Sequence, residues 1–155
     1  MTVLALNKRA GFDYEILETF NAGLVLSGQE VKSAKAGQAS LKGSYVVFRS
    51  AAERPQPFLL NARISPYKYA KTESYDPERP RALLLKRREI AYLAGKQQEK
   101  GLTLVPLKLY TDRSLIKLEF AVARGKKQFD KRETIKRRDI NRRLGAARRT
   151  GSISE

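Results

Sequence analysis

Toward its end the chain alternates. In "SLIKLEFAVARG", Ile116, Leu118, Phe120 and Val122 fall on one side of a period-two pattern, and Leu115, Lys117, Glu119 and Ala121 on the other. That spacing predicts a strand with one face buried. The preceding "LTLVPLKLY" is its partner, and the four residues "TDRS" between them suit a hairpin loop. Nearer the start, "YEILETFNAGLVLSG" mixes β-branched, aromatic and aliphatic residues around Asn-Ala-Gly, which predicts two short strands or one strand bent at Gly23. "SYVVFRS" and "PFLLNARIS" are strand-like runs separated by "AAERPQP", whose two prolines are excluded from a central ladder.

Elsewhere the period changes. Ser27 stands three residues before Glu30, the capping-box spacing that satisfies free amides at a helix start. It predicts a helix from Gly28 to about Ala36, with Val31 and Ala34 inward and Gly37 at a left-handed C-cap. After "LLLKRRE", Ile90, Leu93, Ala94 and Gln97 recur at helical spacing until Gly101, predicting a second helix. "SPYKYAKTESYDPERPRA" has three prolines and three tyrosines but no apolar period, and reads as a long surface loop. Six or seven short strands and two helices, without regular helix–strand alternation, predict a mainly β fold, a small antiparallel barrel with helices packed on it.

Charge narrows the partners. The 155 residues, room for one domain and an appended tail, carry 32 Lys and Arg against 16 Asp and Glu, a formal +16 with a pI near 10.3. The imbalance points to a polyanion, either nucleic acid or an anionic membrane. "MTVLALNKRAG" lacks the order of a secretory leader, and no apolar run approaches the roughly eighteen residues of a membrane span. A soluble cytoplasmic protein is expected. There is no cysteine or histidine, which excludes disulfides, thiolate chemistry, Cys/His zinc sites and imidazole catalysis. Neighbouring acids, such as Asp76 with Glu78 or Glu15 with Glu18, lie in basic or exposed surroundings. The expectation is a binding protein, not an enzyme, with no cofactor or metal.

The charge is also uneven. Residues 124–155 hold 12 basic and 4 acidic residues, a net of +8, so about a fifth of the chain carries half the charge. This divides the chain into a body, 1–124, and a basic tail, 125–155. In the tail, Phe129, Ile140, Leu144 and Ala147 fall within about 60° on a helical wheel, while Ile135 lies opposite. So thin a stripe, helped only by pairs such as Glu133 with Arg137 at about 0.2–0.5 kcal/mol, predicts a segment largely disordered alone and helical on a polyanion. The body cations, among them Lys8, Arg9, Lys32, Lys35, Arg63 and Lys68, keep company with Tyr, Phe and Asn. Cations for phosphates beside planar groups for bases favour a structured-RNA surface.

Five stretches, "NKRAGFDYEI", "AGLVLSGQEVKSAKAG", "RPRALLLKRREI", "VPLKLY" and "ARGKKQFDKRETIKRRD", together resemble the bacterial tmRNA-binding (SsrA-binding) proteins, in order from about Asn7 to Arg143. The resemblance implies an oligonucleotide-binding-type antiparallel barrel with about three short helices. It implies binding of the tRNA-like domain of tmRNA and delivery of alanyl-tmRNA, with elongation factor Tu, to stalled ribosomes for trans-translation. By position it implies that Asn7, Lys8, Arg9, Asn21, Glu30, Lys32, Ser33, Lys35, Arg63, Leu84 and Lys117 contact or support the tmRNA surface. It places Gly125, Lys126, Lys127, Phe129, Asp130, Lys131, Arg132, Lys136, Arg137, Arg138, Arg142 and Arg143 in a tail that reaches the small-subunit rRNA in the empty decoding site and mRNA channel. A monomer is expected.

The chain departs from the family pattern at several of these places. Asn21 stands where an acid is common, Arg63 where His is frequent, Ala82 where Lys is usual, and Phe12 and Phe129 where His can occur, Tyr being frequent at the latter. A ring at 129 can still stack on a base, worth roughly 1–3 kcal/mol, but donates no hydrogen bond. Two other readings compete. One is a generic single-stranded RNA binder or ribosomal protein on the same barrel, and the other an RNA-modifying enzyme, which the residue inventory disfavours.

Overall fold

The computed structural model describes residues 1–51, 54–68 and 75–126; of Ser50 and Ala51 it gives the backbone only. In chain order the elements are β1 (Thr2–Leu6), α1 (Ala10–Asp13), β2 (Tyr14–Leu24), α2 (Gly28–Lys35), β3 (Ala39–Ser40), β4 (Tyr45–Ala51), β5 (Arg54–Leu60), β6 (Arg63–Ile64), β7 (Arg81–Leu84), α3 (Arg87–Gln98), β8 (Leu102–Asp112) and β9 (Leu115–Gly125). The expectations for the tail from Lys127 onward, including Phe129, Asp130, Lys131, Arg132, Lys136, Arg137, Arg138, Arg142 and Arg143, lie outside the described residues.

Seven strands form one antiparallel sheet in the order β1-β8-β9-β2-β7-β5-β4, and β3 pairs with β6 beside it. The sheet curls until β4 lies against β8, with α3 packed on both. This is the mainly β, antiparallel architecture with flanking helices that the pattern predicts. Among the described residues no ladder joins β4 to β8, so side chains hold that seam.

The alternation of β9 sets the core. Leu118, Phe120 and Val122 are buried, facing Leu104 and Leu109 of β8, and Leu59, Leu83 and Leu93 fill the space beneath the curl. On the other face, Ala121 and Ala123 are buried as well, and Ala10 of α1 joins Val105 and Ala123 in a second, smaller cluster. Among the described residues every buried side-chain nitrogen and oxygen has a hydrogen-bond partner, as a native interior requires.

Three details differ from the sequence reading. The β8–β9 loop is two residues, not four, with Arg113 at φ 50° and Ser114 at φ 74°. Two positive φ values match the twist of flanking strands, although Asn-Gly is the usual pair there. Pro55 and Pro57 lie inside β5, not outside the sheet, in the stretch whose described ladder is with β4 alone. Donors two residues apart point to the same side of a strand, so both prolines can forgo them without interrupting that ladder. Third, "PFLLNARIS" is broken at Asn61, whose φ of 61° turns the chain from β5 into β6; Asn tolerates this conformation better than most residues.

β2 is one strand of eleven residues with an irregularity between Ile16 and Glu18. Neither β1 nor α1 follows from the pattern along the chain. A five-residue strand paired with residues 108–111 carries no local signal of its partner, and α1 is a single turn.

Candidate nucleic-acid interface

Antiparallel register places paired residues on the same face of a sheet, and here it gathers side chains from distant parts of the chain. Gly23 of β2 pairs with Leu84 of β7 on one side and Lys117 of β9 on the other, and Lys117 pairs in turn with Tyr110 of β8. The next row on that face is Asn21, Glu119, Lys108 and Leu6. Leu84, the last residue of β7, is 62% exposed. A Cβ on Gly23 would lie 3.3 Å from the Leu84 Cβ, so the glycine allows β7 its close approach. The result is an apolar knob and a lysine on either side of Gly23, brought together from three separate stretches of the sequence.

Hydrogen bonds and ion pairs set this face. The Tyr110 hydroxyl donates to Asn21 Oδ1 at 2.7 Å, a bond that an acid at 21 would also accept. Lys117 Nζ lies 3.3 Å from Asp112 and Lys108 Nζ 3.4 Å from Glu119, while the Lys108 ammonium sits 5.5 Å over the Tyr110 ring. These partly exposed pairs are each worth little. They hold the lysine heads along the face without closing them to phosphate. Lys108 and Tyr110, which the sequence reading did not single out, were findable, because "KLY" places them two residues apart and thus on one face.

Asn7, Lys8 and Arg9 form the β1–α1 connection. Asn7 is half-buried, its backbone N–H donating to Leu107 O at 2.8 Å and its side-chain amide to Pro106 O at 2.9 Å. It fixes the loop to β8, while Lys8 and Arg9 are exposed. The Arg9 guanidinium lies 4.9 Å over the Phe12 ring and pairs with Asp13 at 3.4 Å. Phe12 therefore supports a cation by its ring face. With Lys42, Ser44 and Tyr45 across the open seam, this loop rims a cleft of about 770 Å³.

The third group surrounds α2. Its capping box forms as predicted, Glu30 N–H donating to Ser27 Oγ at 3.2 Å and Ser27 N–H to Glu30 Oε1 at 2.9 Å. The cap has a second duty, however. Glu30 is buried, with Arg79 Nη2 2.6 Å from Oε1 and Arg81 Nε 2.7 Å from Oε2. Arg81 has no exposed surface and also donates to Ala62 O at 2.8 Å and Pro77 O at 3.0 Å. Burial alone would raise the Glu30 carboxyl, but the hydrogen bonds from Arg79, the Ser27 amide and Arg81 hold it below the usual carboxylate range. Beside it, burial and the Glu30 charge raise the Tyr75 hydroxyl, which donates to Ile64 O at 2.6 Å.

Glu30 and Ser33 thus present no surface to a ligand. Ser33 Oγ donates to Ser65 O at 2.6 Å, and Tyr67 N–H to Gln29 Oε1 at 3.0 Å. With the Glu30 pairs, these bonds tie α2 to β6 and to the chain on either side of it. Lys32, Lys35 and Arg63 stand exposed on the elements so tied, with the Lys32 ammonium 5.7 Å from the Tyr67 ring centre. The inward residues of α2 are Glu30, Ser33 and Ala34, with Val31 only partly covered. A capping box in sequence gave no sign that its acid also receives two arginines fifty residues away.

Gly125 closes β9 opposite Tyr14, and Lys126 follows it, its Nζ donating to Gly11 O at 2.9 Å. Of the tail residues named above, Gly125 and Lys126 are the ones whose positions are described.

Comparison with known proteins places this geometry. The family model described as "SmpB protein" matches residues 4–150. An SsrA-binding protein of Syntrophobacter fumaroxidans is 49% identical over 147 residues, covering 95% of this chain and 89% of its own. That of Thermosipho melanesiensis is 48% identical over 145 residues, covering 93% and 96%. A solved chain from work headed "tmRNA-SmpB: a journey to the center of the bacterial ribosome" is 45% identical, with a TM-score of 0.63 over 79% of this chain and 84% of that one.

Proposed function

This chain belongs to the SmpB family, and on that premise we propose that it binds the tRNA-like domain of tmRNA and delivers alanyl-tmRNA, with elongation factor Tu, to stalled ribosomes for trans-translation. The observation that carries the reading is the row Leu84, Gly23 and Lys117. An exposed leucine beside a cation offers apolar surface to a splayed base or a sugar and charge to the phosphate next to it. This suits folded RNA, whose shape and unstacked bases are what proteins read. Asn21, Lys108 and the Asn7–Arg9 loop extend the row, and Lys32, Lys35 and Arg63 add phosphate contacts. Residues 125–155 enter the decoding site and mRNA channel through their charge. The protein acts as a cytoplasmic monomer and supplies no chemistry.

A competition experiment tests this. Fluorescently labelled tRNA-like RNA is titrated with the protein in excess linear RNA, and anisotropy is read. The adaptor retains its preference for the folded RNA, and Leu84→Ala and Lys117→Ala each weaken it. Equal binding to both RNAs would instead support the generic single-strand binder on the same barrel.

A further inference from the structure

The ladder between β5 and β7 is short. Phe58 pairs with Ala82 and Leu59 with Arg81, and there the register ends. Pro57, next along β5, has no backbone N–H to offer β7, so the strands part. Gln56 and Leu84, two residues beyond Phe58 and Ala82 on their strands, keep the same face of the sheet. Both line the groove that opens between β5 and β7, of about 320 Å³, with Pro55, Pro57, Leu85 and Ile90. β4 continues this face. Arg49 pairs with Gln56 and Val47 with Phe58, and the Arg49 guanidinium lies 5.4 Å from the centre of the Phe58 ring. Phe58 is half-buried, while Arg49 and Gln56 are exposed. Because Leu84 pairs with Gly23 and Gly23 with Lys117, one face runs from Lys117 across the groove to Arg49.

We infer that this groove and the Arg49–Phe58 pair beside it form a nucleotide subsite, which takes one unstacked base of the bound RNA between Leu84 and Gln56 and its phosphate on Arg49. The inference rests on the functional reading above for the source of that nucleotide, and adds β4 and β5 to the RNA footprint. The walls fit the ligand. Prolines and leucines offer apolar surface to a base, and a volume near the lower end of ligand pockets, roughly 300–1,000 Å³, leaves room for one base and not a duplex. The Gln56 amide both donates and accepts at a base edge. The ring beneath Arg49 steadies its guanidinium, whose planar fork of donors matches a phosphate. An apolar peptide would fill the groove but leave the charges of Arg49 and Arg54 unanswered, and so suits it less than a nucleotide.

The chain has no cysteine, so Arg54→Cys, at the rim of the groove, gives a unique site for a benzophenone maleimide. The labelled full-length protein is bound to tRNA-like RNA and irradiated, and the crosslinked nucleotide is mapped by primer extension. One strong stop is expected, and none with the same label at Lys100→Cys, beyond the far end of α3. RNA that binds without crosslinking at 54, or that crosslinks equally from 100, would overturn the proposal. In parallel, Arg49→Ala should weaken binding about fivefold and lower the slope of log affinity against log salt by somewhat less than one unit, with little change in Tm. Arg49→Lys, which keeps the charge, should keep the slope. Affinity unchanged in Arg49→Ala would also overturn the proposal and leave Arg49 as cover for the Phe58 ring. If linear RNA binds and crosslinks at 54 as well as the tRNA-like RNA does, the functional reading fails while the subsite stands.

Discussion

Glu30 shows how one side chain can serve two levels of structure. It closes the N-terminus of α2 and receives Arg79 and the fully buried Arg81. Removing one partner of a buried pair leaves the other charged without compensation, at about 3–5 kcal/mol. Arg81→Leu should therefore lower stability by that order in chemical denaturation followed by circular dichroism. Glu30→Met/Arg81→Leu should lose less than Arg81→Leu alone, and an equal or larger loss would show that the pair does not couple. The pH dependence follows from the lowered carboxyl. A carboxylate that titrates below its unfolded value stabilises the native state above that value and loses this contribution as pH falls through the folded one. The stability gap between native protein and Glu30→Gln should be full at neutral pH and shrink below about pH 4. Only the local half of this arrangement was legible in the sequence, because Ser27 and Glu30 are three residues apart whereas Arg81 arrives through the fold.

Among the elements, the β8–β9 hairpin was the most legible, since the alternation of Ile116, Leu118, Phe120 and Val122 along β9 favours the register that buries Leu118, Phe120 and Val122. Its turn was less so. "TDRS" suggests a four-residue loop, but the ladder runs on to Asp112 and Leu115, forcing Arg113 and Ser114 into positive φ. Replacing Arg113-Ser114 by Asn-Gly should stabilise the protein by about 1 kcal/mol, read as a raised denaturation midpoint, because Asn-Gly adopts the required conformation at less cost. No gain would mean that the native pair makes compensating contacts. β7 lay at the opposite extreme. Its leucines look in sequence like the apolar start of a helical segment, yet four residues join β2 to β5 and so hold the two halves of the sheet together. Short strands owe their existence to neighbours, and no pattern within "RALL" specifies them.

For the whole molecule, the candidate interface is spread over the β1–α1 loop, β2, α2, β6, β7, β8 and β9. Charge on the face formed by β2, β8 and β9 is already partly neutralised, since Lys117 has Asp112 and Lys108 has Glu119. Lys117→Ala should accordingly lower the slope of log affinity against log salt by somewhat less than one unit. An unchanged slope would remove Lys117 from the phosphate contacts. Truncation after Lys127 should leave tRNA-like RNA binding nearly intact and abolish tagging; a large loss of affinity would instead make the tail part of the RNA site. By itself the sequence determined the strand periods, the capped helix, the polyanion as partner and the concentration of charge beyond residue 124, because periodicity and charge are local or additive quantities. Only the tertiary structure decided that Leu84, Gly23 and Lys117 share a row, that Glu30 is buried against Arg79 and Arg81, and that Lys126 meets α1. Each of these depends on register or burial between residues far apart in the chain, where the free energy of one contact is set by many others.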